Sequence, residues 1–178
     1  MRTAVKRMLA TVTPPSNGGG CRVLLYHAIG EPSPEDRLGL RVTRAAFRKQ
    51  MEWLKEEGFS VVPLTTSGTG AGAAWTVAIT FDDGYASQLE AAAILEEFGF
   101  PATFFVVPAF LDASTRSGGP HSAFRPAGRW PAGLHGRTGR SGYWDRWGYF
   151  GWSQLKELAA RGFEIGAHSA SHTRLTRC

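Results

Sequence analysis

The chain is poor in cysteine, in long apolar runs and, over one long stretch, in acidic charge. Its 178 residues include two cysteines, Cys21 and Cys178, which excludes a disulfide scaffold. Every apolar segment is broken by Pro, Gly or charge before it reaches the roughly 18 residues of a membrane span. The first 20 residues carry Arg2, Lys6 and Arg7 but lack the apolar stretch of about 7 to 15 residues that an export signal needs. They read as a flexible leader. A cytoplasmic location is the expectation, or an extracytoplasmic one if the true start lies elsewhere.

Acidic residues are nearly absent between positions 116 and 146, which hold six arginines and a single acid, Asp145. That stretch accounts for the whole formal surplus of +5. It also holds seven glycines and three prolines and has neither helical nor strand periodicity, so positions of about 116–142 read as a Gly/Arg-rich insertion. The positive charge therefore belongs to one segment and says little about partners of the chain as a whole.

What is present suffices for a folded core. Apolar residues make up 43% and aromatics 12%, which excludes a wholly disordered chain. At roughly 150 residues per domain the length suits one domain, spanning 21–178. Arg22–Tyr26 is a short β-favouring run ending at His27, followed by a turn-rich loop. Thr43 is placed to cap a helix with Phe47, Met51 and Leu54 on one face and Gly58 after its end. Phe59–Val62 suggests a short strand. Trp75–Phe81 is almost continuously apolar, as in a strand buried on both faces of a parallel sheet. Ala91, Ile94, Leu95 and Phe98 mark a second helix stopped by Gly99 and Pro101. Ala102–Val107 is the next buried strand. Ser153 is placed to cap a last helix carrying Leu155 and Leu158, and Phe163–Gly166 leads as a strand into His168. Strands alternating with helices indicate an α/β fold with a mainly parallel sheet.

In such folds functional groups collect where strands end. Two clusters occupy that position here, Asp82-Asp83-Gly84 and His168-Ser169-Ala170-Ser171-His172. Asp-Asp-Gly alone is a good turn sequence, and a lone His-x-x-x-His pair is as well explained by hydrogen-bonded or exposed histidines. Together they supply two imidazoles and a carboxylate from strand ends, a three-ligand set that leaves coordination positions open. A second carboxylate beside the set is suited to act as a base, because one carboxylate cannot both ligate a cation and accept a proton. A divalent cation lowers the pKa of its water to about 7, which is the usual route to hydrolysis at neutral pH.

Thr80-Phe81-Asp82-Asp83-Gly84 with His168-Ser169-Ala170-Ser171-His172 resembles the first two motifs of the polysaccharide deacetylases, carbohydrate esterase family four. Leu25–Ile29, Phe47 through Met51, Ala102–Val106 and Leu155 through Gly166 are similar to that family's framework. The Tyr26-His27 pair resembles the branch containing poly-N-acetylglucosamine deacetylases. The resemblance implies a distorted, partial (β/α) barrel and a divalent cation, most commonly zinc, with cobalt or another divalent ion as substitutes. It implies hydrolysis of N-acetyl groups from N-acetylglucosamine polysaccharides, with Asp82 as general base and Asp83, His168 and His172 as metal ligands.

The family's later motifs are missing: an Arg/Pro motif, an Asp/Trp segment and a Leu-x-His motif bearing the general acid. The expectation is a domain lacking its C-terminal strands that keeps the metal site and catalyses poorly. His121 and His135 lie in the insertion and lack the acid's context, while His27 reads either as a site neighbour or as a buried, hydrogen-bonded residue. Residues 143–152 hold six aromatics in ten positions; Tyr143, Trp144 and Trp147 are candidates to border a glycan groove, with packing of the returning loop as the alternative. Other readings are an inactive metal- or glycan-binding fragment, a non-haem iron oxygenase, which would favour a β-sandwich, and a nucleic-acid-binding role for the Gly/Arg insertion. No nucleic-acid partner and no membrane span are expected.

Overall fold

The structure, a computed structural model, describes residues 21–32, 34, 36, 38–67, 76–116 and 148–173. The leader, the bulk of the Gly/Arg insertion and Trp75, His121, His135, Tyr143, Trp144, Trp147 and Cys178 lie outside the described residues. No helix among those described is long and apolar enough to cross a membrane.

A five-stranded parallel sheet organises the chain. Its strands are β1 (Cys21–Tyr26), β4 (Ser60–Val61), β5 (Thr76–Phe81), β6 (Thr103–Val106) and β7 (Glu164–Ala167). β5 is the hub. β1 occupies one of its edges over six residues, Cys21 opposite Thr76 through Tyr26 opposite Phe81. The other edge is divided: β4 pairs at Thr76 and Val77, and β6 at Thr80 and Phe81. β7 then pairs with β6 over four residues. All six residues of β5 are buried, as its unbroken apolar run demands of a central parallel strand. Because every pairing is parallel, the carboxyl ends of β1, β5, β6 and β7 lie at one end of the sheet. There β1, β5 and β7 run into His27, Asp82 and His168, and β6 into the buried Val107.

Parallel register puts paired residues on one face. On the helix-covered face this stacks Tyr26, Phe81 and Phe104 across three strands, with ring centroids 5.5 Å apart for Tyr26–Phe81 and 4.8 Å for Phe81–Phe104. The α1 helix (Arg44–Glu56) packs Phe47, Met51 and Leu54 onto this row, and the Tyr26 hydroxyl donates to Gln50 Oε1 at 2.8 Å. Burial of each such side chain stabilises by about 1.5–3 kcal/mol. Thr43 caps α1, its hydroxyl accepting from the Ala46 amide at 3.1 Å. The α2 helix (Gln88–Phe98) buries Ala91, Ile94 and Leu95. Its last turn is bound to both neighbours by forked arginine pairs, Arg48 on Glu97 and Arg161 on Glu96, all at 2.7 Å.

The opposite face is barer. Val23 and Leu25 of β1 are 52% and 54% exposed, and the Phe105 ring lies against Gly166. At the amino end of the strands, Glu164 accepts from the Thr103 hydroxyl at 2.6 Å, the Leu64 amide at 3.0 Å and the Thr65 hydroxyl. It thereby fastens β7 to the 3-10 turn Leu64–Thr66.

Three local readings are corrected. The last helix, α4 (Trp152–Ala160), is capped by Gly151 rather than Ser153: Gln154 Oε1 accepts from the Gly151 amide at 3.0 Å, and Trp152 is the first helical residue. A helix α3 (Pro108–Arg116) follows β6 directly and buries Phe110, Leu111 and Ser114. It escaped the sequence reading because its short apolar stripe merges into the insertion, although a proline at the first helical position is a starting signal. The loop after His27 contains a small parallel ladder, β2 (Ala28–Ile29) with β3 (Arg41–Val42).

Candidate metal centre

β5 ends at Phe81, and the Asp82 amide makes one more rung by donating to Tyr26 O at 3.0 Å. The chain then turns with left-handed backbone at both Asp83 (φ +74°) and Gly84 (φ +77°). Aspartate tolerates that region better than most residues. Gly84 is required there twice over, since a Cβ would also stand 3.2 Å from Val106 Cγ1 and 3.4 Å from Phe150 Cδ2. The turn points Asp83 inward, leaving it 2% exposed, while Asp82 stays half-buried.

On the other side of β6, the His168 amide continues the β6–β7 ladder by donating to Val106 O at 2.8 Å. The next residues form a tight turn. Ser169 and His172 both take positive φ, +58° and +57°. The Ser169 hydroxyl accepts from the Thr173 amide at 3.1 Å, and Ala170 O accepts from the Ala109 amide at 3.1 Å. This turn brings His172 back beside His168, ring centroids 5.1 Å apart, and sets it 5.8 Å from the Phe110 ring.

The two clusters, 85 positions apart in the sequence at their nearest ligands, therefore meet. Asp83 Oδ1 lies 3.1 Å from His172 Nε2 and 3.5 Å from His168 Nε2, and the ligand atoms of all three residues lie within 4.8 Å of one another. Asp83 Oδ1 is buried yet makes no well-directed hydrogen bond among the described residues. A buried carboxylate oxygen without such a bond, faced by two imidazole nitrogens, is the donor set that a divalent cation takes. The residues fit that group.

Electrostatics separate the two carboxylates. Burial opposes ionisation of Asp83, but His172, His27 and His168 outweigh it and hold its carboxyl below the ordinary value. Burial pushes Asp82 up, opposed by His168 and His27 and reinforced by the Asp83 charge. His172 is raised by its contact with Asp83, against burial. His27 follows Tyr26, whose carbonyl accepts from the Asp82 amide, and Gln88 Nε2 donates to both His27 O and Asp82 O, so the backbones of His27 and Asp82 lie side by side at the strand ends.

The aromatic run is split by the structure. Tyr149 and Phe150 are buried and pack the chain's return over the Asp-Asp-Gly turn: the Phe150 amide donates to Gly84 O at 2.8 Å and the Ala86 amide to Gly148 O at 3.0 Å. Tyr149 stacks on the fully buried Tyr85, centroids 5.1 Å apart. Tyr85 and Gln88, both buried around the site, were not singled out from sequence. An aromatic or amide just after a turn looks like ordinary helix-start sequence until its partners are known.

A parallel α/β sheet with an Asp–His–His cluster at the carboxyl ends of its strands is the class defined by this fold and site, and it differs from the β-sandwich expected of an oxygenase. The family model for polysaccharide deacetylase matches residues 70–178, and the chain belongs to that family. The Bacillus subtilis protein YxkH, named for the same family, is 30% identical over 91 residues, covering 48% of this chain and 31% of that protein. A Bacillus cereus polysaccharide deacetylase shares the fold with a TM-score of 0.66 at 22% identity, covering 90% of this chain and 42% of that one. The Streptococcus pyogenes deacetylase PplD, solved in complex with acetate, gives 0.64 at 22% identity, with 91% and 62% covered. The chain thus spans less than two thirds of the length of each of these relatives.

Proposed function

We propose that the chain is a hydrolase that removes N-acetyl groups from an N-acetylglucosamine-containing polysaccharide. The observation that carries this reading is the meeting of Asp83, His168 and His172 beside a second, half-buried carboxylate, Asp82. Asp83, His168 and His172 would hold a divalent cation, with zinc as the first choice for this donor set. Such a cation supplies Lewis-acid polarisation and a water of lowered pKa.

The chain's own residues divide the remaining work. Asp82 takes the proton of the attacking water; it stays half-buried beside the ligand set, and burial raises its carboxyl above the ordinary value. His27, whose backbone lies beside that of Asp82 at the strand ends, is the side chain we assign to protonate the departing amine. Tyr143, Trp144 and Trp147, outside the described residues, are proposed to stack on sugar rings.

The test is acetate release from N-acetylglucosamine oligomers by the full chain with zinc or cobalt added, compared with Asp82→Asn and with chelator. Metal-dependent release that Asp82→Asn abolishes is expected. Release that is equal with and without chelator would overturn the reading. Zinc bound without any acetate release would favour the non-catalytic alternative.

A further inference from the structure

Gln88, the first residue of α2, is fully buried. Its Nε2 donates to two backbone carbonyls at once, His27 O at 2.8 Å and Asp82 O at 2.6 Å. These are the first residues beyond the paired ends of β1 and β5, whose last rung is the Asp82 amide on Tyr26 O. The Gln88 amide therefore adds a side-chain rung where the two backbones leave the sheet and no further ladder bond holds them. Its neighbour Ser87 repeats the stitch, its hydroxyl accepting from the Ile29 amide at 3.1 Å.

The orientation of the amide is determined by its surroundings, because the opposite one would set its oxygen against two carbonyl oxygens. The correct orientation leaves Gln88 Oε1 buried without a hydrogen-bond partner among the described residues. An unsatisfied buried acceptor is a cost. Leucine would fill the same volume without that cost, but it cannot bridge the two carbonyls.

We infer that Gln88 is a positioning residue that fixes Asp82 and His27 relative to one another. The inference rests on the reading of those two side chains as the proton-transfer pair. Gln88 reaches none of the Asp83, His168 and His172 side chains through these two bonds, so its loss bears first on Asp82 and His27. Small displacements of such pairs are costly, about 10²-fold in rate for 1 Å.

The test compares Gln88→Leu and Gln88→Met with the wild-type chain, with Ile94→Val in the same helix as a control for modest loss of stability. Zinc affinity, kcat and KM on N-acetylglucosamine oligomers, and amide hydrogen exchange are measured. Expected in the Gln88 variants are zinc affinity within about twofold of wild type, kcat lower by about tenfold or more at unchanged KM, and exchange faster by about tenfold in peptides 24–30 and 80–86 but not in 103–107. Unchanged exchange in the first two peptides would overturn the inference, as would unchanged kcat in a folded variant. Failure of both variants to fold would also overturn it, since Gln88 would then support the fold rather than the pair. An inactive wild type whose Gln88 variants still show the local exchange change would reject the deacetylase reading and leave the clamp standing.

Discussion

His172 Nε2 stands 3.1 Å from Asp83 Oδ1, and both residues sit in left-handed backbone. Neither conformation is the one its side chain prefers, and such strain is held only where the surrounding structure over-determines it. Here the Asp82 amide on Tyr26 O anchors the chain just before Asp83, and the turn after His168, held by the Ser169 hydroxyl on the Thr173 amide and by Ala170 O on the Ala109 amide, places His172.

Replacing Asp83 by Asn keeps the shape and removes the charge. Zinc affinity should fall by more than the about 10- to 100-fold typical of losing a group that merely supports a ligand, as measured by calorimetric titration. Affinity equal to wild type would remove Asp83 from the ligand set. His168→Ala and His172→Ala should behave in the same way.

Asp82→Asn separates chemistry from metal binding. It should leave zinc affinity within a few fold and lower the rate by about 10²–10⁴, the usual contribution of a positioned base. His27→Gln should give a loss in the same range without changing metal content. If His27→Gln retains the full rate, the proton donor is another group.

The metal-free pair should show a bell-shaped stability profile. Asp83, held below its ordinary 3.8, adds stability that is complete above that value and lost as pH falls through the lowered one. His172, raised above its ordinary 6.5, adds stability that is complete below 6.5 and lost as pH rises through the raised value. Their joint contribution is thus greatest between 3.8 and 6.5. Asp82, raised above its ordinary 3.8, has the opposite sign: its cost to stability begins as pH rises past 3.8 and is complete above the raised value. Because His172 must lose its proton to bind a cation, zinc affinity should climb with pH over that upper limb. Melting curves in chelator and zinc titrations across pH test both, and a zinc affinity independent of pH would exclude His172 as a ligand.

Gly166→Ala should destabilise by about 1–3 kcal/mol through overpacking. Its new Cβ would lie 2.4 Å from Phe105 Cδ1, and the ring must swing away from β7. Phe105→Leu in the same chain should restore most of the loss of melting temperature. An unaltered melting temperature in the single variant would show that the ring moves freely.

Much of the framework was legible along the chain. The 3.6-residue spacing of Phe47, Met51 and Leu54 and the unbroken apolar run up to Phe81 correspond to the buried face of α1 and to the central strand. Those signals are local, because periodicity and burial are decided by near neighbours. Helix α3 and the β2–β3 ladder were not legible, since both are short and are stabilised by contacts distant in sequence, such as the Ser114 hydroxyl on Tyr149 O at 2.8 Å. The cap at Gly151 was missed for a related reason: its partner is the Gln154 side chain, whose rotamer no spacing rule reports.

The sequence by itself determined the residue types available at each strand end: two adjacent aspartates before a glycine, and two histidines four apart. It could not say that they meet. Only the parallel register of β1, β5, β6 and β7 puts those ends side by side. Only the left-handed turns at Asp83 and Ser169 bring one carboxylate and two imidazoles within 4.8 Å while leaving Asp82 outside the cluster. Likewise Gln88 reads as an ordinary helix start until two carbonyls from different strands converge on its amide. Distances between segments far apart in the chain depend on how the whole sheet pairs, and local pattern carries no information about that.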